Sequence, residues 1–148
     1  MYKTILVTLE ATSTDRAIIE HVKKLAKFMN SRVVLLHVAT SAVAQWRGPD
    51  AAGEEVEEGQ AYLNGVKAEF EACGVPADAQ LAFGTPPAKQ IVKWVQEHGC
   101  DLVAMSTHGH RLLGDLLLGA TASEVQHSLS VPVLLLRAKR NVEPVREP

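Results

Sequence analysis

Cysteine is scarce in this sequence. The chain has two cysteines, Cys73 and Cys100, too few and too widely separated for a disulfide framework or a metal knuckle. Each closely follows a predicted helix, so we interpret both as packing residues. Without a disulfide framework, a reducing, cytoplasmic location is the expectation.

Long apolar runs are also missing. No run approaches the roughly 18 residues that a membrane span requires. The opening residues lack the continuous apolar core of a secretory signal, because Thr8 and Glu10 interrupt it early. We therefore expect neither a leader nor a membrane-spanning segment.

The chain shows no concentration of positive charge. Its formal net charge is −2, and its lysines and arginines are scattered, with no basic run before the charged, proline-containing end at residues 137–148. A nucleic-acid-binding surface normally needs a basic patch or stripe. The sequence thus gives no electrostatic case for a nucleic-acid partner. Internal repeats and low-complexity stretches are absent as well.

What the sequence does contain is a regular alternation of short apolar runs with helical patterns. Five runs predict strands: Ile5-Leu-Val7, Val33 to Val38, a weaker one around Gln80 to Phe83, Asp101 to Met105, and Val131 to Leu136. Four helices are predicted between them. This order is typical of an α/β parallel sheet with right-handed crossovers, and 148 residues fit one domain.

The helix boundaries follow from caps and glycines. The first helix is predicted from about residue 13 to residue 29, with a capping box in Thr12-x-x-Asp15. The second is predicted to open on the acidic stretch from Glu54 to Glu58, as the helix dipole favours. The third follows Gly84-Thr-Pro-Pro87. The fourth is predicted to begin at a second capping box, Thr121-x-x-Glu124.

The connection from Ala39 to Gly53 carries Trp46 and leaves two interpretations open. Trp46 would either act as a lid over a ligand or pin the loop to the body of the domain. Ligands of parallel sheets bind at the carboxyl ends of the strands, near the point where strand order reverses. The candidate site therefore lies at residues 8–12, at Val38 and at residues 106–120.

A glycine-rich stretch follows the fourth strand. Gly109, Gly114 and Gly119 lie between that strand and the fourth helix. Glycines let a backbone approach a phosphate closely, and the free N–H groups of a helix N-terminus attract anions. His108, His110 and Arg111 can add positive charge. The alternative is a long connection whose glycines only turn a corner.

These motifs resemble those of the universal stress protein family, over nearly the whole chain. The ATP-binding members carry Gly-x2-Gly-x9-Gly-(Ser/Thr) after strand four, and this chain reads Ser106-Thr-His-Gly109, nine residues, then Gly119-Ala120. Their Asp-x-Ser after strand one corresponds to Glu10-Ala-Thr12 here. Their backbone contact to adenine maps to Val38.

The resemblance implies a single-domain, Rossmann-like five-stranded parallel sheet of order 3-2-1-4-5, with helices on both faces. It also implies a nucleotide-binding domain over residues 1–138, a tail at 139–148, and a homodimer paired through strand five. The ligand would be ATP or AMP, accompanied by Mg²⁺. The site residues implied are Thr8, Leu9, Glu10, Thr12, Val38, Ser106, Gly109, His110, Arg111, Gly119, Ala120 and Thr121.

Two positions depart from the family pattern. Ser106 replaces the first glycine, and Ala120 replaces the hydroxyl residue that would hold a phosphate. Thr121 carries a hydroxyl, but a shift of one residue turns it by about 100° around a helix. The alternative function is therefore a dimeric stress-response interaction module that binds no nucleotide, with a protein partner that the sequence does not identify.

Other function classes fit less well. Residues 8–14 are rich in hydroxyls, as a flavin phosphate loop would be, but contain no glycine. A response-regulator receiver needs clustered acids and a lysine after strand five, where this chain offers Glu10 and Arg137. Ser106 and His108 lack a third orienting residue for nucleophilic catalysis, and His108 with His110 lacks a carboxylate partner for a metal. We therefore assign no catalytic residue and no protein metal site, although slow ATP hydrolysis is compatible with Glu10 helping to hold Mg²⁺.

Overall fold

The computed structural model describes residues 1–39, 49–107 and 119–138, with side chains from residue 53 onward in the second range. Trp46, Gly109, His110, Arg111 and the predicted tail at 139–148 lie outside the described residues. The elements, in chain order, are β1 (Thr4–Leu9), a 3₁₀ turn (Ser13–Asp15), α1 (Arg16–Met29), β2 (Arg32–Ala39), α2 (Pro49–Ala72), β3 (Ala77–Phe83), α3 (Pro87–His98), β4 (Leu102–Thr107), α4 (Ala120–Ser128) and β5 (Val133–Arg137).

The five strands form one parallel sheet of order β3-β2-β1-β4-β5, which confirms the predicted fold. β1 lies at the centre, with Leu6 opposite Val34 of β2 and Val103 of β4. The apolar runs of β1, β2 and β4 are continuous because helices cover both faces of these strands. The chain reverses its direction across the sheet between β1 and β4, which is where ligands of such sheets bind.

Alternate residues of each strand enter two separate cores. One core lies between the sheet and helices α1 and α2, and includes Ile5, Val7 and Phe70. The other lies between the sheet and helices α3 and α4, and includes Leu6 and Val125. The two-residue side-chain period of a strand divides the apolar residues in this way. The two cysteines pack against these cores as free thiols, as predicted.

Helix α1 follows the sequence prediction closely. The 3₁₀ turn Ser13–Asp15 leads directly into Arg16–Met29, so the helical segment covers the predicted residues 13–29. Asn30 ends it in the left-handed conformation, with φ of 55°, which suits asparagine at a helix C-terminus. The predicted capping box of Thr12 and Asp15 is present, and in it the Asp15 carboxylate accepts a hydrogen bond from the Thr12 N–H at 3.4 Å.

Helix α2 begins earlier than predicted. Its first residue is Pro49, not Glu54, because proline is favoured in the first turn of a helix, where its missing N–H has no intrahelical partner. The acidic residues therefore occupy later turns of the helix and not the first. No helix in the described parts of the chain combines the length and the apolar character needed to cross a membrane.

Helix α4 also begins earlier than predicted, and the second capping box was wrong. Gly119 is the N-cap, and its carbonyl accepts a hydrogen bond from the Ser123 N–H at 3.1 Å. Thr121 is thus the second helical residue, a position from which it cannot cap. Pro132 precedes β5, and its carbonyl accepts a hydrogen bond from the Val103 N–H at 3.0 Å. The proline sits where it costs the sheet no donor.

Candidate functional site

A cavity of about 880 Å³ opens at the carboxyl ends of β1, β2 and β4. Helix α2 forms one wall, and the first turns of α3 and α4 form the other side. This volume lies in the range of small-molecule sites. We call the cavity the crevice, and its lining consists of Thr8, Glu10, Ala11, Leu36, His37, Val38, Glu55, Glu58, Gly59, Tyr62, Pro87, Ile91, Met105, Ser106, Thr107, Gly119, Ala120, Thr121 and Ala122.

The structure brings most of the described site candidates together. Those that line the crevice are Thr8, Glu10, Val38, Ser106, Gly119, Ala120 and Thr121. Leu9 does not line it, because its side chain is 3% exposed and packs in the core under α1 and α2. Thr12 is exposed beyond the rim. Gly109, His110 and Arg111 belong to the undescribed part of the chain.

One buried carboxylate shapes the turn after β1. Asp15 is fully buried, and its oxygens accept hydrogen bonds from the N–H groups of Glu10 at 3.0 Å, Ala11 at 2.9 Å and Thr12 at 3.4 Å. Ala11 adopts a left-handed φ of 62°, which is unfavourable for a residue with a Cβ. The Asp15 carboxylate therefore holds a turn that the backbone alone would not favour.

A tyrosine from α2 reaches the same carboxylate. The Tyr62 hydroxyl donates a hydrogen bond of 2.6 Å to Asp15, a short distance typical of an O–H donor on an ionised acceptor. Burial of the phenol, and next the hydrogen bond to Asp15, raise the pKa of Tyr62 above its ordinary value. Tyr62 thus remains a neutral donor and joins the α2 wall of the crevice to the β1 turn.

His37 connects the ends of β1 and β2. Its Nδ1 lies 2.8 Å from the carbonyl oxygen of Leu9, and a carbonyl only accepts, so Nδ1 carries the proton. In the neutral ring, Nε2 is then an acceptor. The imidazole packs against Gly59 of α2, where a Cβ would lie 3.2 Å from Cδ2. A ligand in the crevice therefore meets a histidine of fixed orientation.

Ser106, the residue before the last of β4, brings an unusual hydroxyl to the crevice. Its Oγ is buried and has no hydrogen-bond partner among the residues that the structure describes. A buried, unpaired hydroxyl is costly. The start of α4 lines the same crevice through Gly119, Ala120 and Thr121. The positive end of the helix dipole makes this side favourable for an anion.

The described lining of the crevice is acidic. Glu10, Glu55 and Glu58 line the crevice, and within the described lining there is no lysine or arginine. Within the described lining, positive potential comes from the N-terminal turns of α3 and α4. The described residues contain no group of three side chains arranged to hold a metal ion.

The residues that α2 contributes to the crevice were not predicted from the sequence. Glu55, Glu58, Gly59 and Tyr62 all line the crevice, although the acidic stretch was interpreted only as the first turn of a helix. The signal was present in the spacing, because positions 55, 58, 59 and 62 lie on one helical face. A small residue between acids on that face indicates a close approach to another element.

The chain is similar in sequence and in fold to known universal stress proteins. Universal stress protein MJ0577 of Methanocaldococcus jannaschii is 27% identical, over 95% of this chain and 98% of its own. Its solved structure is similar with a TM-score of 0.79 at 28% identity, over 95% of this chain and 99% of that one.

Two more distant structures share the fold. A universal stress protein of Archaeoglobus fulgidus in complex with dAMP has a TM-score of 0.67 at 17% identity, over 90% of this chain and 97% of its own. A universal stress protein in complex with cAMP has a TM-score of 0.69 at 16% identity, over 93% and 98%. The sequence model of the universal stress protein family matches residues 1–137, and the chain therefore belongs to that family.

Proposed function

We propose that this universal stress protein binds an adenine nucleotide, ATP or AMP, in the crevice formed within residues 1–138, and has no committed enzymatic activity. The observation that carries the proposal is the meeting of Glu10, Val38, Ser106 and the α4 N-terminus around one cavity. Ligand-sized cavities at this edge of a parallel sheet are the usual binding sites of the fold.

Each side of the crevice suits a different part of a nucleotide. The N–H groups of the first turn of α4 suit phosphate oxygens, and the Glu10 carboxylate can accept hydrogen bonds from ribose hydroxyls or share a nucleotide-bound Mg²⁺. The backbone at Val38 can pair with the adenine edge. The relatives bound to dAMP and to cAMP support the same ligand class.

The departures from the family pattern predict weak binding and not its loss. Ala120 supplies no hydroxyl, and one hydrogen bond to a charged group contributes about 1.5–3 kcal/mol, or roughly ten- to a hundredfold in affinity. The acidic residues of α2 oppose an unaccompanied triphosphate, so Mg²⁺ is expected to improve ATP binding more than AMP binding.

The test is calorimetric titration with ATP, ADP and AMP, each with and without Mg²⁺. Ser106→Gly together with Ala120→Ser should tighten binding, and Glu10→Ala should weaken it. Thr12→Ala is the matched control, because Thr12 lies outside the crevice and should bind like the parent. The proposal is overturned if the parent shows no binding at millimolar nucleotide and the double substitution does not restore it.

The second candidate is a dimeric interaction module without a nucleotide. Ser106 and Ala120 favour it, since both remove features that a phosphate would use. In either case we propose a homodimer paired through β5, and a cytoplasmic location in keeping with the two free thiols. A parent that dimerises but binds none of the three nucleotides, and that the double substitution does not rescue, would favour the module over the nucleotide-binding protein.

A further inference from the structure

The β1 turn presents three consecutive N–H groups to a single carboxylate. Asp15 accepts hydrogen bonds from Glu10, Ala11 and Thr12, while the Leu9 carbonyl just before them accepts one from His37. Such concave rows of N–H groups are common anion sites in proteins. Here the protein's own carboxylate fills the concavity, so a ligand phosphate cannot use these donors.

A helix cap alone does not account for this arrangement. Within a capping box, the Asp15 carboxylate has only to accept the hydrogen bond that the Thr12 N–H donates. The bonds that it accepts from the N–H groups of Glu10 and Ala11 are shorter and lie outside the helix. A residue with a Cβ keeps an unfavourable left-handed backbone conformation only when surrounding contacts hold it there. The additional bonds thus act on the conformation of Ala11, and through it on the residue that precedes it.

Tyr62 adds a second connection to this turn. It lines the crevice from α2 and donates to Asp15 at 2.6 Å. One turn earlier on the same helix, Glu58 and Gly59 also line the crevice. The Tyr62–Asp15 hydrogen bond therefore joins the turn that presents Glu10 to the wall that faces it.

We propose that Asp15 and Tyr62 are positioning residues of the crevice. Asp15 sets the turn that directs Glu10, and Tyr62 fixes that turn against α2. Neither side chain has to touch the ligand. The consequence for ligand binding rests on the proposed function, whereas the conformational part concerns the ligand-free protein and can be measured by itself.

The first measurement is amide hydrogen exchange in the ligand-free protein. Asp15→Asn keeps the size of the side chain but removes acceptor capacity, so exchange at Glu10 and Ala11 should accelerate at least about tenfold relative to Ile5 and Leu6, as expected for loss of about one charge-assisted hydrogen bond. Tyr62→Phe should give a smaller change in the same direction. Unchanged relative exchange at the turn in both variants would overturn the inference.

The matched control is Ser31→Ala. Ser31 is also a buried polar residue, 2% exposed, and its hydroxyl donates to the Tyr2 carbonyl at the opposite end of the sheet. This substitution should reduce global stability without selectively accelerating amide hydrogen exchange at residues 10–12. Tyr62→Phe provides the milder variant if Asp15→Asn does not fold.

The second measurement is the affinity for AMP and ATP. Asp15→Asn should weaken binding by roughly tenfold and Tyr62→Phe by severalfold, while Ser31→Ala should stay within about twofold of the parent, because only the first two disturb the turn. If the parent binds but Asp15→Asn binds equally well, the positioning role is wrong. If the parent binds neither nucleotide and the Ser106→Gly, Ala120→Ser variant does not restore binding, the proposed function fails, and the exchange result alone decides the conformational role.

Discussion

The imidazole of His37 lies directly against the backbone of Gly59, so closely that a Cβ on Gly59 would come within 3.2 Å of Cδ2 and 3.7 Å of Nε2. The ring cannot move away freely, because Nδ1 donates to the Leu9 carbonyl at 2.8 Å. Glycine at position 59 therefore lets helix α2 approach the end of β2. This close approach brings Glu55, Glu58 and Tyr62 to the crevice.

Two glycines of α2 should respond differently to alanine. In a helix interior, alanine is favoured over glycine by about 0.8–1.0 kcal/mol. A Cβ at Gly65 meets nothing within 4 Å, so Gly65→Ala should stabilise the protein by nearly that amount. Gly59→Ala should gain less or lose stability, because the new methyl group displaces His37. Denaturant unfolding of both variants checks this, and equal gains at the two sites would contradict it.

Two serines allow a hydrogen-bonded hydroxyl to be compared with one that has no partner within the described residues. Ser31 donates to the Tyr2 carbonyl, whereas the buried Oγ of Ser106 has no partner within the described residues. Ser31→Ala should cost about 1 kcal/mol, since a net hydrogen bond is lost, while Ser106→Ala should be neutral or stabilising by up to about 1 kcal/mol. Thermal unfolding without ligand measures both, and a clear loss for Ser106→Ala would reveal a partner for its hydroxyl.

An ion pair between α1 and α2 predicts acid sensitivity. Arg16 donates to both carboxylate oxygens of Glu69, at 2.8 and 2.9 Å, and this interaction lowers the pKa of Glu69 from 4.5 to about 2. A carboxyl with a depressed folded-state pKa stabilises fully above its unfolded pKa. The contribution should therefore be present above pH 4.5 and disappear as the pH falls towards 2.

The expected size of this effect is small, because the Glu69 side chain is 37% exposed. Glu69→Gln should cost roughly 0.5–1 kcal/mol at neutral pH and much less near pH 2. The control is Glu71→Gln, whose partner Lys67 lies farther away at 3.8 Å, and which should follow the parent. Urea unfolding across this pH range decides, and parallel curves for Glu69→Gln and the parent would contradict the prediction.

The proposed dimer predicts unequal effects at the two edges of the sheet. Alternate residues of β5 bond to β4, as shown by the Ala138 N–H and the Pro132 carbonyl, which leaves the peptide groups of Val133 and Leu135 at the open edge. Both side chains pack partly against the core beside α3 and α4, and lysine at either position should dissociate the dimer if the side chain also faces the partner. Phe83→Lys is the control, because Phe83 is 58% exposed on the opposite edge strand. Sedimentation at micromolar concentration checks this, and a monomeric parent would refute the dimer.

The sequence determined the fold because the side-chain periods of helices and of strands both depend on residues that are close together in the chain. The apolar runs of β1, β2 and β4 and the caps of α1 depend on neighbouring residues, and they predicted the strands and one helix almost residue by residue. β3 was weaker in the sequence because an edge strand is only partly covered, as its alternating burial shows. The starts of α2 and α4 were missed because proline and glycine, and not an acidic or hydroxyl cap, begin these helices.

The sequence predicted only part of the site. The predicted strand order, with the rule that ligands bind at the carboxyl ends of parallel strands, was enough to place Glu10, Val38, Ser106 and Gly119 together. The tertiary structure alone decided that α2 forms the facing wall, because that depends on a close contact between Gly59 and a side chain 22 positions earlier.

The hydrogen-bond partners of the buried Asp15 carboxylate were likewise decided by the tertiary structure. In the sequence, Asp15 is an ordinary capping residue, and Tyr62 is one aromatic on a long helix. Only the packing of α2 against the β1 turn buries the carboxylate and brings the phenol within 2.6 Å of it. A short-range pattern specifies which element forms, whereas the partners of a buried polar group depend on how distant elements meet.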